Sequence, residues 1–118
     1  VTKKVVPKMS LISAARSGGH VNTRTFIPHN CHAAIGVLGA VSVATVCIWP
    51  GSVATGIAIA PSGATKQLSV EHPSGEFSVT LQVGGTAEQP VIEKAGLLRT
   101  ARMLMRGEVL VPEDVWKG

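Results

Sequence analysis

The stretch from Cys31 to Trp49, CHAAIGVLGAVSVATVCIW, constrains this chain most, because after Cys31 and His32 it runs without a charge. Folded as a helix it is apolar on every face, which in a soluble protein is typical of a helix surrounded by other structure. The run is too long for one strand of ~4–8 residues. It is also short and rich in Gly and Ala for a membrane span, which needs ~20 apolar residues. We therefore predict a central buried helix over about 31–48, with a strand pair or a membrane segment as the competing interpretations.

The small residues of this run predict how the helix packs. Gly36 and Gly39 each cost a helix roughly 1 kcal/mol relative to Ala. We expect them to let a wrapped sheet approach the helix axis, together with the small residues Ala33, Ala34, Ala40, Ser42 and Ala44. Asn30 is the candidate N-cap, and the sequence Trp49-Pro50-Gly51 ends the helix because proline cannot continue it.

Composition and charge narrow the function classes. A chain of 118 residues suffices for one domain with a hydrophobic core. Hydrophobic residues make up 45% and aromatic residues only 3%, so that core must be aliphatic. The net charge of +4 is scattered along the chain. A nucleic-acid interface usually needs a clustered basic stripe with stacking aromatics, so we expect no nucleic-acid partner.

The cysteines and the N-terminus indicate the compartment. Cys31 and Cys47 would lie ~24 Å apart on one continuous helix, beyond the reach of a disulfide. Free thiols are typical of a reducing compartment, and VTKKVVPKMSL lacks the apolar region of a signal peptide. We expect a cytoplasmic protein without a membrane partner. The missing initiator Met points to a processed or truncated product.

Short strands are predicted on both sides of the helix. Before it, KMSLISA (Lys8–Ala14) and RTFIP (Arg24–Pro28) are strand candidates, joined by the glycine-containing turn Arg16–Asn22. After it, residues 50–66 are rich in Gly, Ala, Ser and Pro and predict a loop. A hairpin is then expected from two segments of period-2 alternation that flank Pro73-Ser74-Gly75, namely Leu68–His72 and Glu76–Val83.

The segment 93–111 carries two conflicting patterns. LLRTARMLMR places apolar residues at 97, 98, 101, 104 and 105, which is helical spacing. Its flanks, PVI and GEVLVP, are typical of strands. Taken alone, the residues favour a helix.

The densest polar cluster is Pro28-His29-Asn30-Cys31-His32, at the predicted start of the helix. Free backbone N–H groups and the helix dipole make such a terminus favourable for anions. A partly exposed cysteine there would have a lowered pKa, and the imidazoles could donate to a carboxylate. The cluster therefore predicts a carboxylate-binding or proton-transfer site. Equally, His29 and Asn30 could only cap the helix while His32 packs.

Three other chemical interpretations are weaker. His29, Cys31 and His32 with His20 or His72 could supply four metal ligands, but no zinc-site spacing is matched. Covalent catalysis by Cys31 with a histidine base lacks a visible orienting group. Ser74, in His72-Pro73-Ser74-Gly75, is better explained as a hairpin turn than as a nucleophile, since the Gly-x-Ser-x-Gly pattern is absent.

Three pieces in fixed order, RTFIPHNCHAAIGVLGAV, VEHPSGEF and LLRTARMLMRGEVLVP, resemble the C-terminal domain of the PrpF-like isomerases. This family includes methylaconitate and methylitaconate isomerases. The stretch FIPHNCHAAIGVLGAVSVAT is most similar to the 4-oxalomesaconate tautomerases of gallate and protocatechuate degradation. The resemblance covers nearly the whole chain.

The resemblance implies the diaminopimelate-epimerase fold, in which each of two similar domains wraps a curved, barrel-like sheet around one central helix. Residues 1–118 would then be a single α/β (α+β) domain, with the N-terminal domain absent. It also implies that Gly96–Val111 is strand and closes the sheet, against the local helical pattern.

The family's chemistry is a 1,3-allylic or keto–enol proton transfer on unsaturated di- and tricarboxylic acids, without a cofactor. Its catalytic lysine and cysteine come from the N-terminal domain, and none of this chain's lysines lies in a matching motif: Lys3, Lys4, Lys8, Lys66, Lys94 and Lys117. The epimerases' own second-domain cysteine falls at Gly36, so Cys31 is not its equivalent and no catalytic residue is assigned.

The resemblance transfers a substrate-binding role to the helix start: His32 and the backbone N–H groups first, then His29, Asn30, Cys31, Ala33 and Arg24. The chain is expected to be inactive alone, and to pair with the missing N-terminal domain or with a second copy in a homodimer. The alternative from another class is a non-catalytic binding module of the same fold, and a racemase-type enzyme is a weaker third.

Overall fold

The computed structural model describes residues 6–116, which contain one helix and one mixed sheet. The α+β class predicted from the sequence is confirmed. In chain order the elements are β1 (Met9–Ser13), β2 (Val21–Ile27), β3 (Asn30–Cys31), α1 (Val37–Ile48), β4 (Thr65–His72), β5 (Gly75–Gly85) and β6 (Pro90–Leu97).

The sheet has six strands in the order β1-β2-β4-β5-β6, with β3 paired to β2. All pairs are antiparallel except β2 with β4, which are parallel, in register at Val21↔Val70 and Asn22↔Glu71. A parallel pair needs a crossover connection, and here the crossover contains α1. Within residues 6–116 the sheet does not close on itself, since β1 and β6 do not pair with each other.

The β4–β5 hairpin confirms the prediction and is longer than expected. Its register runs from Thr65↔Gln82 to His72↔Gly75, with Pro73-Ser74 as the connection. Alternate residues face α1 and are completely buried: Leu68, Val70, Val79 and Leu81. Such alternation is what a sheet with one packed face requires.

The helix begins six residues later than predicted, so Asn30 is not its N-cap. Asn30 and Cys31 instead form β3, which pairs with Ile27 and Phe26 of β2. The N-cap is Gly36, in an extended conformation. The predicted end at Trp49-Pro50 is confirmed.

Helix α1 is packed on one side and open on the other, so the prediction of a helix surrounded by structure is wrong in part. Ala40, Val43, Ala44 and Cys47 face the sheet and are buried, whereas Leu38 is 81% exposed. The packed residues have the i, i+3, i+4, i+7 spacing of a single helix face.

The close approach of sheet and helix does not use the glycines. A Cβ at Gly36 would meet open space, and one at Gly39 would meet only the side chain of Ile35, at 3.3 Å. Ala40 and Ala44, with no exposed surface, lie where the sheet packs. The prediction is therefore wrong for the two glycines and confirmed for Ala40 and Ala44, whose small side chains allow the close approach.

The connections largely follow the sequence. The predicted strands Lys8–Ala14 and Arg24–Pro28 correspond to β1 and to the second half of β2, which begins earlier, at Val21. The turn therefore ends at residue 20. Residues 50–64 contain only turns and bends, as predicted, and Thr65 already belongs to β4.

Residues 98–116, called here the C-terminal arm, form neither helix nor strand apart from a turn at 113–115. Both predictions for 98–111 are therefore wrong, and only Gly96 and Leu97 lie in a strand. The arm is exposed, with Met103, Leu104, Met105, Val109 and Leu110 between 78% and 91% accessible. A short helix without a packed face is marginal in water, and a strand needs a neighbouring edge. Within residues 98–116 the arm has no packed face and pairs with neither open edge of the sheet.

The arm extends away from the rest of the molecule. The radius of gyration is 18.6 Å, compared with about 13.5 Å for a compact domain of this length. At its base, the Arg99 guanidinium lies 4.9 Å from the centroid of the Phe77 ring. Among the described residues, no helix combines the length and hydropathy that a membrane crossing requires.

Candidate functional site

The predicted polar cluster lies on the β2–β3 hairpin and the loop that follows it. Pro28 and His29 form the turn, and Asn30 and Cys31 form β3. His29, Asn30 and Cys31 are exposed, whereas His32 is half-buried. Because α1 starts only at Val37, Cys31 is outside its first turn and the predicted influence of the helix dipole on this thiol does not apply.

His32 is the most firmly held member of the cluster. Its backbone N–H donates to the Thr25 carbonyl oxygen at 2.7 Å. Its ring Nδ1 accepts the backbone N–H of Ala34 at 2.9 Å. A neutral ring whose Nδ1 is an acceptor carries its proton on Nε2. The fold therefore leaves Nε2–H as the donor that this imidazole can offer.

His32 lines a cavity of about 650 Å³ between α1 and the strands β1 and β2. The polar residues that line it are Lys8, Ser10, Thr25, His32 and Ser42. The remaining lining residues are aliphatic or glycine, and none is Asp or Glu. The cavity thus suits a molecule with an apolar body and negative charge.

The start of α1 forms one wall of this cavity, through residues 36–39. The first N–H groups of a helix have no partner within the helix. Gly36 provides no side-chain cap, and the first turn contains no acidic residue. These N–H groups and the positive end of the helix dipole favour an anion at this end of the cavity.

Arg24 lies on the opposite face of β2 from Thr25 and Ile27, because successive strand residues point to opposite faces. Its Nη1 donates to the Thr23 carbonyl at 2.7 Å and to Asn22 Oδ1 at 3.1 Å. It lines a second, polar cavity of about 370 Å³. The structure therefore places Arg24 and His32, both predicted to bind substrate, in different cavities.

Ser74 joins the site although the sequence predicts only a hairpin turn for it. Its hydroxyl donates to the carbonyl oxygen of Ala33 at 2.7 Å. This contact brings the β4–β5 turn against the loop between β3 and α1. The separation of 41 residues hides the contact from any local pattern.

Glu71 is a second residue that the sequence did not single out. Its carboxylate accepts the backbone N–H groups of Arg16 and Ser17 at 2.7 Å and of Gly19 at 2.9 Å. These hydrogen bonds, that of Arg16 above all, hold the pKa of Glu71 below its usual range. The arrangement anchors the β1–β2 turn to the end of β4, so Glu71 has a structural role.

The two cysteines are free, as predicted. Burial raises the pKa of the Cys47 thiol from 9.0 to about 11, so this thiol is protonated and unreactive near neutral pH. Cys31 is exposed. Within residues 6–116, no three His, Cys, Asp or Glu side chains are grouped so that they could hold a metal ion.

Comparison with known proteins identifies the family to which this chain belongs. The family model described as PrpF protein matches residues 1–112. The chain belongs to the PrpF family. It is 55% identical over 118 residues to a 4-oxalomesaconate tautomerase of Pseudomonas putida KT2440, covering all of this chain and 32% of that enzyme.

A second relative carries a similar name. The (4E)-oxalomesaconate Delta-isomerase of Novosphingobium sp. KA1 is 56% identical over 111 residues, which are 94% of this chain and 30% of that protein. The chain therefore spans about a third of the length of the curated relatives it matches. Both relatives are named as isomerising enzymes, which supports an isomerase family for this chain.

Proposed function

We propose that this PrpF-family chain binds a carboxylate group of an unsaturated di- or tricarboxylic acid, as one part of a cofactor-independent tautomerase or isomerase of the 4-oxalomesaconate type. One observation carries the proposal. A cavity whose lining contains no Asp or Glu is bordered by the uncapped start of α1 and by His32. The names of the two relatives support this class of substrate.

The proposed reaction moves a proton and a double bond within one molecule. A C–H proton beside the alkene is removed, the double bond shifts, and a proton is returned to the far alkene carbon. In the keto–enol form the proton moves between oxygen and carbon. Negative charge develops on a carboxylate or keto oxygen during the transfer. Donors fixed beforehand towards that oxygen stabilise it most.

The residues of this chain would supply those donors. His32 Nε2–H and the N–H groups of Val37 and Leu38 are the proposed partners of the substrate oxygen. Lys8 adds positive charge at the border of the cavity, and the aliphatic walls limit the water around the acid. His29, Asn30, Cys31 and Ala33 remain proposed contacts of the rest of the substrate.

We assign binding rather than turnover to these 118 residues by themselves. General acid–base catalysis contributes ~10²–10⁴-fold and needs a base placed at the reacting carbon. The resemblance places that lysine and its assisting cysteine in another domain. We also propose the diaminopimelate-epimerase fold, with a similar domain or a second copy of this chain as partner. The free thiols favour the cytoplasm as compartment.

The test uses cis-aconitate as a stable unsaturated tricarboxylate, and its trimethyl ester as the uncharged control. In ¹H–¹⁵N spectra of the purified chain, cis-aconitate should shift the amides of residues 37–39 and the ring nitrogens of His32, whereas the ester should not. Equal effects of acid and ester, or no effect of the acid, would contradict carboxylate binding.

Turnover is measured separately. The chain is incubated with 4-oxalomesaconate and the ultraviolet spectrum is followed. We expect no change above the uncatalysed rate. Conversion at the rate of a complete tautomerase would contradict the assignment of binding alone. The chain is then mixed with a partner domain that carries a catalytic base. If the mixture binds the acid but still does not convert it, the result would favour the non-catalytic binding module.

A further inference from the structure

The turn of the β4–β5 hairpin contacts the loop that leads into α1, and this contact has a defined direction. Ser74 Oγ lies 2.7 Å from the Ala33 carbonyl oxygen and 3.3 Å from His72 Nδ1. A serine hydroxyl has one proton, and a carbonyl oxygen can only accept. The shorter contact therefore takes that proton, and Ser74 is the donor to Ala33.

His72 does not compete for this proton. Its Nδ1 is 3.3 Å from the backbone nitrogen of Ser74, whose N–H donates to it. The hydroxyl of Ser74 is thereby left directed to the loop. This backbone-to-imidazole contact spans two residues, as does the one between Ala34 and His32.

His32 lies between two anchors. On one side its backbone N–H is bonded to Thr25 of β2. On the other, the next residue, Ala33, is bonded to Ser74 of the hairpin turn. The Ala34 N–H that fixes the ring follows immediately. A displacement of the Ala33 carbonyl would therefore move the peptide group that positions the His32 imidazole.

We propose that Ser74 is a positioning residue for His32: its hydroxyl holds the 33–36 loop so that the imidazole keeps Nε2–H as its donor beside the start of α1. The effect on carboxylate binding rests on the proposed function. The positioning of His32 rests only on the hydrogen bonds described above. Ser74 does not line the His32 cavity, so it acts through Ala33 and not by touching the substrate.

Removal of the hydroxyl should loosen the loop without unfolding the domain. The hydrogen bond is exposed, and a neutral hydrogen bond of this kind contributes modestly to stability. Ser74→Ala should therefore leave the denaturant midpoint nearly unchanged, and weaken binding of cis-aconitate by about 3–10-fold, the range that one such bond corresponds to. Ser74→Thr keeps a hydroxyl and should restore most of the affinity.

The control is Ser78→Ala. Ser78 lies on β5 of the same hairpin and does not line the cavity of His32. This variant should match the wild-type chain in cis-aconitate affinity and in the ¹⁵N shifts of His32. It separates the loss of a particular contact from the general effect of a serine-to-alanine change in the hairpin.

The decisive readout is the pair of ring ¹⁵N shifts of His32, which report the tautomer without any ligand. In the wild-type chain we expect the proton on Nε2, and in Ser74→Ala a mixture of both tautomers. Unchanged shifts together with unchanged affinity would overturn the proposal. If the wild-type chain binds no cis-aconitate, the proposed function fails while the shifts still decide the positioning role: a tautomer mixture in Ser74→Ala supports it and unchanged shifts refute it.

Discussion

Alkaline pH should destabilise the domain through Cys47, a buried residue of α1 that faces the sheet. Its pKa is raised by burial from 9.0 to about 11. The unfolded chain therefore releases the thiol proton at lower pH than the folded chain does. Between these two pKa values the unfolded state binds fewer protons, so the free energy of unfolding falls as pH rises.

The magnitude follows from the two pKa values, 9.0 unfolded and about 11 folded. Relative to neutral pH, the contribution of the thiol lowers the free energy of unfolding by about 1.4 kcal/mol at pH 10 and about 2.3 kcal/mol at pH 11. Below pH 8 the thiol is protonated in both states and has no effect on the pH dependence.

Urea unfolding at pH 8, 9, 10 and 11 tests this, with Cys31→Ser and the double variant Cys31→Ser/Cys47→Ala. The first change prevents an intramolecular disulfide in both proteins, and a reducing agent prevents one between chains. Cys47→Ala lowers stability at every pH through lost packing, but it removes the titration. The difference in stability between the two proteins should therefore shrink as pH rises. Parallel pH dependences from pH 8 to 11 would refute the reasoning.

Three further predictions test other parts of the structure. Glu71→Gln should remove the acid sensitivity that the lowered pKa of the Glu71 carboxyl creates. The wild-type chain should therefore lose more stability than the variant as pH falls below 4.5. Equal losses of stability in urea titrations would contradict this. Ala44→Leu should overpack the helix–sheet contact and cost about 1–3 kcal/mol, whereas Leu38→Ala on the exposed face should change the denaturant midpoint little. The exposed apolar arm should make the chain associate at ~10–100 μM in light scattering, and deletion of residues 98–118 should abolish this; a monomer throughout that range would exclude it.

The sequence determined the elements whose signals are local. The β4–β5 hairpin was predictable because its alternation and its turn at Pro73-Ser74-Gly75 all lie within 21 consecutive residues, 65–85. The end of α1 was equally clear, since Pro50 acts on the residue next to it. The helix itself was predictable because the charge-free apolar run is too long for one strand.

Contacts between segments distant in the sequence decided the features that local patterns left open or predicted wrongly. Helix α1 starts late because Asn30 and Cys31 find a partner in β2, and a helical pattern does not reveal that competition. Ala40 and Ala44 became the contact with the sheet, while Gly36 faced open space, because the sheet covers only one side of α1.

The candidate site shows the same division. The residue types around His32 predicted a carboxylate site because imidazoles and helix N–H groups are chemically suited to it. Which residues converge depended on the tertiary structure: the alternation of β2 directed Arg24 away from the cavity of His32, and the hairpin brought Ser74 to Ala33 across 41 residues. A local sequence pattern reports on residues within one helical turn or on neighbouring strand residues. A contact such as that between Ser74 and Ala33 depends instead on which strands the fold brings together.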